Sequence, residues 1–170
     1  MKPLLVVDGY NIIGAWGEVQ RRGWSMEESR NQLLHVLQDY GGYAGCDIVL
    51  VFDGYMSDRR VRTEEQYGPV KLVYTQHAET ADSYIERFVA ELPRYQPVSV
   101  ATSDGLEQSQ VLSTGATRMT ARELLRELDQ TRRHGLRASH PDRVQSGKKI
   151  EDQLPENLRR QLEKLRRGEN

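Results

Sequence analysis

The stretch PLLVVDGYN, residues 3–11, contains an apolar run that ends in an aspartate and a glycine. A short run of this kind, without polar alternation, is typical of a strand buried on both faces in a parallel sheet. The ligand sites of such sheets lie outside the carboxyl ends of the strands. We therefore predict a first β-strand over residues 3–8, with Asp8 at the edge of the sheet where ligands bind.

Three further segments have an aspartate where a strand is expected to run out. They are VFDG with Asp53, TADS with Asp82 and TSDG with Asp104. Acids that are far apart in the sequence would converge at one edge of a parallel sheet. An acidic cluster without a set of Cys and His ligands favours a hard divalent cation such as Mg²⁺, and hence phosphoryl chemistry.

The length and cysteine content restrict the class of protein. The chain has 170 residues, which fits one domain that can bury a sizeable core. Its single cysteine, Cys46, cannot form an internal disulfide, so we expect a small buried hydrophobe and a reducing, cytoplasmic compartment. The sequence contains neither a signal-peptide apolar region nor a membrane-spanning run, which predicts a soluble protein without a membrane partner.

The charge is distributed unevenly along the chain. Residues 1–117 contain 10 Lys and Arg against 16 Asp and Glu, a net charge of −6, whereas residues 118–170 contain 14 against 9, a net charge of +5. The body could therefore hold metal while the tail holds a polyanion, because Lys and Arg neutralise phosphates. A solvated helical face with interspersed Glu and Arg pairs is the alternative interpretation of the tail.

The hydrophobic pattern predicts alternating strands and helices. Further strands are expected at residues 47–53, 70–75 and 98–102, and a loop or edge hairpin at residues 54–69. Helices are expected at residues 26–40, 80–92, 105–113 and 120–135, with capping residues at Ser25, Thr80 and Thr120. The first of these helices would stop at Gly41 and Gly42. The order favours an α/β sandwich with a largely parallel central sheet.

The composition changes after residue 135. Residues 136–150 are polar and basic, which predicts a linker or mobile loop. Residues 151–170 have leucines at helical spacing and predict a basic amphipathic C-terminal helix. Its leucine face would pack back on the domain, with a free RNA- or partner-binding arm as the alternative. We therefore expect a domain over residues 1–135, followed by this linker and this helix.

Each acidic position also has a structural interpretation. Asp8 would be a metal ligand or a cap of the following turn, and the repeated placement of acids favours the ligand. Asp82 and Glu79 could both be explained by the dipole of the helix that starts near them. Asp104 could likewise cap a helix, and Asp53 before Gly54 could form a turn. Asn11 would cap a short helix or orient Asp8 and a metal-bound water.

Four motifs resemble those of the YacP-like branch of the NYN domain family, within the PIN-like nuclease superfamily. They are LLVVDGYNIIGAW, LVFDG, ETADSYIER and VATSDG, in this order, and the resemblance spans residues 2–135. It implies a PIN-like three-layer α/β/α sandwich with a mainly parallel central sheet. It further implies an Mg²⁺- or Mn²⁺-dependent endoribonuclease that associates with the ribosome and cleaves translated mRNA.

The resemblance also implies roles for individual residues. The metal ligands would be Asp8, Asp82 and Asp104, and Asn11 the catalytic asparagine that accompanies them. The groups that would support these ligands from further out are Asp53, Glu79 and Ser103. In this mechanism the metal activates a water that attacks the phosphodiester in line and leaves a 5′-phosphate end.

RNA also needs a docking surface. Basic residues in the segment before the third predicted strand have Tyr55 and Tyr67 nearby, which combines cations for phosphates with rings for unpaired bases. The residues expected to contact RNA are Arg59, Arg60, Arg62, Lys148 and Lys149. A solvated loop is the alternative interpretation.

Two other functions are alternatives to the nuclease. A phosphatase of the haloacid-dehalogenase type needs a second acid two residues after the first, and this chain has Tyr10 there. A non-catalytic RNA- or ribosome-binding module would use the acids only as helix caps and the basic tail for binding. A lack of Mg²⁺ dependence would favour that module.

Overall fold

The computed structural model describes residues 1–54, 60–102 and 115–135. Nearly all of them belong to one compact unit, Met1–Thr131. The helix predicted at residues 105–113, the linker at 136–150 and the C-terminal helix lie outside the described residues. The division of the chain into domains therefore stays a prediction.

The strands of the described residues form one six-stranded sheet. They are β1 (Leu4–Asp8), β2 (Asp47–Phe52), β3 (Thr63–Tyr67), β4 (Val70–Tyr74), β5 (Val98–Ala101) and β6 (Thr117–Met119). Their order across the sheet is β3-β4-β2-β1-β5-β6. The pairs are parallel apart from β3 and β4, which form an antiparallel hairpin at one edge.

The first strand lies in the middle of this sheet, as its apolar sequence predicts. Val6 and Val7 point to opposite faces and have no exposed surface. Asp8 lies opposite Val51 of β2, and Val7 lies opposite Ala101 of β5. The predicted buried strand that ends in an acid is confirmed.

Five helices connect or flank these strands in the described part of the chain. They are α1 (Gly9–Ala15), α2 (Gly17–Arg22), α3 (Met26–Ala44), α4 (Ala81–Glu91) and α5 (121–135). The hydroxyl groups of Ser25, Thr80 and Thr120 each accept a hydrogen bond at 3.1 Å from the N–H three residues further on, so all three predicted caps are confirmed. None of the described helices is both long and apolar enough to cross a bilayer.

Helix α3 extends beyond its predicted end. It runs through Gly41 and Gly42 and is terminated by Gly45, whose φ of 66° is left-handed. Gly41 has a packing role, since a Cβ at this position would lie 2.8 Å from Cγ of Pro69. The prediction that Gly41 and Gly42 stop the helix was wrong, because the helix continues through both and Gly41 serves close packing against Pro69 instead.

Other elements were absent from the sequence-based prediction. Strand β6 has only three residues and no apolar run, and α1 and α2 are shorter than a reliable helical pattern requires.

Asn11 lies inside α1, which begins at Gly9, so its predicted capping alternative was wrong. Strand β3 pairs with β4 at the edge of the sheet, so the described residues 60–69 confirm the edge-hairpin alternative for their part of the segment.

Two apolar clusters fill the space on either side of the sheet. Helices α1, α3 and α5 cover one face, where Leu33, Leu37 and Leu124 pack with strand residues such as Leu50. Helix α4 covers the other face through Ile85 and its neighbours. Cys46 is free and buried in the first cluster, as expected. The chain folds as a three-layer α/β/α sandwich with a mainly parallel central sheet, which confirms the predicted fold class.

Candidate active site

Successive strands of the chain are added on one side of β1 and then on the other, so the strand order changes direction at β1. Strands β2 and β4 follow β1 toward one edge of the sheet, whereas β5 pairs with the other side of β1 and β6 lies beyond it. In open α/β sheets, ligands bind at such a point, outside the carboxyl ends of the strands. Asp8 is the last residue of β1 and therefore lies where a ligand is expected.

Asp8 joins the sheet to α1 without capping that helix. Only 8% of the residue is exposed, and its side chain makes no capping hydrogen bond to α1. The cap that the sequence left open as an alternative is thus not formed. Gly9 allows the start of α1 to pack closely on Phe52, because a Cβ there would lie 2.6 Å from Cδ1 of that ring. The glycine of the DGYN motif is therefore required because the Phe52 ring at the end of β2 packs directly against it.

Tyr10, the third residue of the DGYN motif, contacts two different elements of the fold. The ring of Tyr10 packs at 5.0 Å from the ring of Phe52. Its hydroxyl accepts a hydrogen bond at 3.2 Å from a guanidinium nitrogen of Arg30 in α3. Asn11 is partly exposed in the first turn of α1, three residues after Asp8. The motif is thus held between the end of β2 and helix α3.

Asp53 connects the end of β2 to the start of α4. Its Oδ2 accepts a hydrogen bond at 3.2 Å from the backbone N–H of Ala81, the first residue of α4. Asp82 follows in the first turn of the same helix. Since the first N–H groups of a helix have no intrahelical partner, this bond stabilises the start of α4. The side chain of Asp53 and the residue Asp82 are therefore both found at the N-terminal end of α4.

Thr75 holds two of the surrounding loops together. The residue is fully buried, and its hydroxyl accepts a hydrogen bond at 2.7 Å from the N–H of Gly54. The same hydroxyl donates to the carbonyl oxygen of Glu79 at 2.8 Å. The loop after β2 is thus linked to the loop that precedes α4. Sequence reasoning missed this residue, although a threonine at the end of an apolar strand was visible in the VKLVYT segment.

Glu79 is paired with two arginines. Its carboxylate, with 6% of the side chain exposed, accepts hydrogen bonds from Arg62, one of them at 3.0 Å, and from Arg87. The hydrogen bonds from Arg62 are the main cause of a lowered pKa of Glu79. The Arg62 guanidinium also lies 4.7 Å from the centre of the Tyr84 ring. The predicted roles of Glu79 near a metal and of Arg62 on RNA stay predictions.

Part of the predicted site lies along one edge of the sheet. Asp8, Asp53 and Asp82 lie at the carboxyl edge of the sheet, and Arg60 is exposed in the loop before β3. The predicted site residues outside the described ranges are Arg59, Ser103, Asp104, Lys148 and Lys149. Within residues 1–54, 60–102 and 115–135, no three acidic, His or Cys side chains form a group that could hold a metal. The predicted ligand set, which includes Asp104, stays a prediction.

Comparison with known proteins places these features in a family. Residues 5–167 match the model of the YacP-like NYN domain. The chain is 37% identical over 128 residues to YacP of Bacillus subtilis (strain 168), which covers 74% of this chain and 75% of that protein.

Solved structures give the same result. The crystal structure of Rae1 (YacP) from Bacillus subtilis superposes with a TM-score of 0.71 and 34% identity, over 99% of this chain and 96% of that chain. A crystal structure of a mutant of Rae1 matches with a TM-score of 0.68 and 31% identity, over 94% of this chain and 98% of that chain. With the DGYN aspartate at the end of the central strand and these matches over most of its length, the chain belongs to the YacP-like NYN domain family, a nuclease-like family.

Proposed function

We propose that this protein is a divalent-metal-dependent endoribonuclease that cleaves mRNA in association with the translating ribosome. Family membership supports a nuclease with an RNA substrate. The observation that carries the proposal is the position of Asp8 at the point where the strand order reverses, with Asp82 at the start of α4 on the same edge. Work on translated mRNA would place the protein in the cytoplasm.

The donor groups fit a hard cation. Asp8 and Asp82 offer carboxylate oxygens, which Mg²⁺ and Mn²⁺ prefer, and neither Cys nor His is needed. We propose that Asp8, Asp82 and Asp104 hold the ion. When bound, such an ion neutralises phosphate charge and makes a water more acidic.

Residues around these acids keep them in position. Asp53 holds the first residue of α4 through the N–H of Ala81, which orients the turn that contains Asp82. Thr75 ties the loop of Asp53 to the loop of Glu79. Asn11, one helical turn from Asp8, has an amide that can orient a carboxylate or a water. Supporting groups of this kind commonly affect metal affinity or activity by about 10- to 100-fold.

The basic residues support a role for RNA and the ribosome. Arg60 is exposed beside the edge strand β3, where it can meet phosphates of a nucleic acid. The net charge of +5 over residues 118–170 favours contact with a polyanion such as ribosomal RNA. Arg59, Lys148 and Lys149 would add to this contact.

The decisive experiment replaces single carboxylates by amides. Wild type, Asp8→Asn and Asp82→Asn are compared for cleavage of naked RNA with Mg²⁺, Mn²⁺ or EDTA, and of an mRNA in a translation reaction. We expect both variants to lose more than about a hundredfold in rate, beyond the usual effect of a merely supporting group. Asp47→Asn is the matched control, because Asp47 is exposed at the opposite edge of the sheet.

The possible outcomes separate the candidate functions. Cleavage that stops in EDTA, needs both acids and leaves 5′-phosphate ends would agree with the proposal. If Asp8→Asn and Asp82→Asn cut as well as wild type, the metal site is wrong. Binding of RNA or ribosomes without any cleavage would identify a non-catalytic binding module instead.

A further inference from the structure

The arginines near the acidic edge differ in their partners. Arg62 and Arg87 both form an ion pair with the single carboxylate of Glu79. Arg30 is also partly buried, but its hydrogen bond goes to the neutral hydroxyl of Tyr10 at 3.2 Å. In the part of the chain that the structure describes, no carboxylate forms an ion pair with Arg30. A partly buried arginine without a carboxylate partner keeps its charge available, so Arg30 is suited to an external anion.

The path of the chain places Arg30 near the acids. Helix α3 connects the parallel strands β1 and β2, so it begins at their carboxyl edge and ends at their amino edge. Arg30 lies in the second turn of α3, close to the end capped by Ser25. The α3 end that bears Arg30 and the C-terminal end of β1 are therefore on the same side of the sheet.

Tyr10 links the guanidinium of Arg30 to the two chain segments that contain Asp8 and Asp53. It lies two residues after Asp8, and its ring packs against Phe52, the residue before Asp53. The hydroxyl that holds Arg30 is thus attached to a ring whose own position is set by the core. This arrangement limits the rotamers of Arg30 and reduces the entropy that would be lost when it binds a ligand.

The chemistry of the guanidinium identifies the anion. Arginine has five N–H donors in a planar fork that matches the oxygens of a phosphate, and the bond to Tyr10 uses one of them. We infer that Arg30, oriented by Tyr10, binds a phosphodiester group of the RNA strand beside the acidic site. The inference rests on the proposed function in naming RNA as the ligand. Arg30 would be a binding residue and Tyr10 a positioning residue.

Binding of a labelled RNA tests the inference without cleavage. Fluorescence anisotropy with a short fluorescein-labelled single-stranded RNA, in EDTA and at several salt concentrations, compares wild type with Arg30→Gln. We expect about tenfold weaker binding, as for loss of hydrogen bonds from a charged group. The slope of log K against log salt should fall in magnitude by about 0.7, the value for one phosphate contact on a single strand.

Three further variants identify the cause of the change. Arg30→Lys keeps the charge but loses the fork, so its salt slope should equal that of wild type while its affinity falls less than that of Arg30→Gln. Tyr10→Phe keeps the ring on Phe52 and the charge of Arg30, and should weaken binding by only about threefold, because it removes the one hydrogen bond that orients the guanidinium. Combined with Arg30→Gln, it should cause no additional loss. Arg94→Gln, an exposed change after α4 at the amino edge, should leave binding unchanged.

Several results would overturn the inference. Unchanged affinity and salt slope in a folded Arg30→Gln would do so, with folding checked by circular dichroism. If Arg30→Gln does not fold, unchanged RNA binding by both Arg30→Lys and Tyr10→Phe would have the same meaning. Weaker ribosome binding with normal RNA binding would assign Arg30 to a contact with ribosomal protein and would also contradict it.

The test also separates this inference from the proposed function. Anisotropy in EDTA reports RNA binding alone, whereas the Asp8→Asn comparison reports cleavage. Cleavage that survives Asp8→Asn, together with weak RNA binding by Arg30→Gln, would reject the metal site and retain the phosphate contact. Cleavage that depends on Asp8, with normal binding by Arg30→Gln, would reject the phosphate contact alone.

Discussion

The carboxylate of Asp53 accepts a hydrogen bond at 3.2 Å from the backbone N–H of Ala81, 28 positions further along the chain. This contact joins the end of β2 to the first residue of α4, which precedes Asp82. The Thr80 hydroxyl satisfies another N–H of the same helix end. The start of α4, which contains Asp82, is therefore held in part by an acid that follows β2.

Replacement of Asp53 by alanine should lower the free energy of unfolding by about 1 kcal/mol, as for the loss of a helix cap. Asp53→Asn keeps an acceptor oxygen and should retain most of this stability. Urea unfolding followed by circular dichroism measures both changes. The exposed Asp47→Ala serves as the control. An Asp53→Ala protein as stable as wild type would show that the bond to Ala81 contributes nothing.

Thr75→Val should destabilise the fold although the two side chains have similar shapes. The change removes the hydroxyl that accepts from Gly54 and donates to Glu79. Two buried hydrogen bonds of about 1 kcal/mol each predict a loss of about 2 kcal/mol in the free energy of unfolding. Thr75→Ser keeps the hydroxyl and should lose only about 1 kcal/mol for one buried methyl group. Chemical denaturation that ranks Ser below Val would contradict this role of the hydroxyl.

The stability contributed by Glu79 should depend on pH. Hydrogen bonds from Arg62 hold the pKa of the Glu79 carboxyl below the ordinary value of about 4.3. A lowered pKa in the folded state adds stability above the unfolded pKa, and this stability is lost as pH falls through the folded pKa. Wild type should therefore be more stable than Glu79→Gln at pH 7, and the difference should shrink below a pH of about 4.3.

Thermal unfolding of both proteins between pH 7 and pH 3 measures this difference. Glu91→Gln is the matched control, because Glu91 is exposed at the last turn of the same helix. A gap between wild type and Glu79→Gln that stays constant across this range would argue against the ion pair.

Gly9→Ala should be costly while Gly14→Ala in the same helix should not. A Cβ at position 9 would lie 2.6 Å from Cδ1 of Phe52, whereas nothing lies within 4 Å of one at position 14. Overpacking predicts a loss of about 1 to 3 kcal/mol for Gly9→Ala. Alanine in place of an unhindered helical glycine predicts a gain of about 0.5 to 1 kcal/mol for Gly14→Ala. Equal unfolding midpoints in urea for the two variants would refute the steric role of Gly9.

Local patterns predicted much of the fold. The strand at residues 3–8 followed from its apolar run, and the helices that begin after Ser25, Thr80 and Thr120 followed from capping residues whose partners lie three positions away. Helix α3 exceeded its prediction because Gly41 packs against Pro69, which belongs to the distant β3–β4 hairpin. No pattern within the helix could reveal that neighbour.

For the candidate site too, the sequence predicted the local positions of residues but not their long-range contacts. The motifs placed Asp8 at the end of a strand and Asp82 in the first turn of a helix, and the structure has them there. The motifs did not reveal that Glu79 forms ion pairs with Arg62 and Arg87, or that Arg30 donates a hydrogen bond to Tyr10. One predicted RNA contact is therefore engaged in an ion pair, and an arginine that was not singled out lies near the acids.

The physical reason is the range of the interactions. Apolar periodicity and helix caps act within a few residues, so the chain alone specified a central parallel strand, its terminal acid and the starts of three helices. The contacts of Asp53 with Ala81, of Thr75 with Gly54 and of Arg30 with Tyr10 depend on strand register and on which helix covers which face. Those features arise only when the whole core packs, and they decide which side chains surround Asp8.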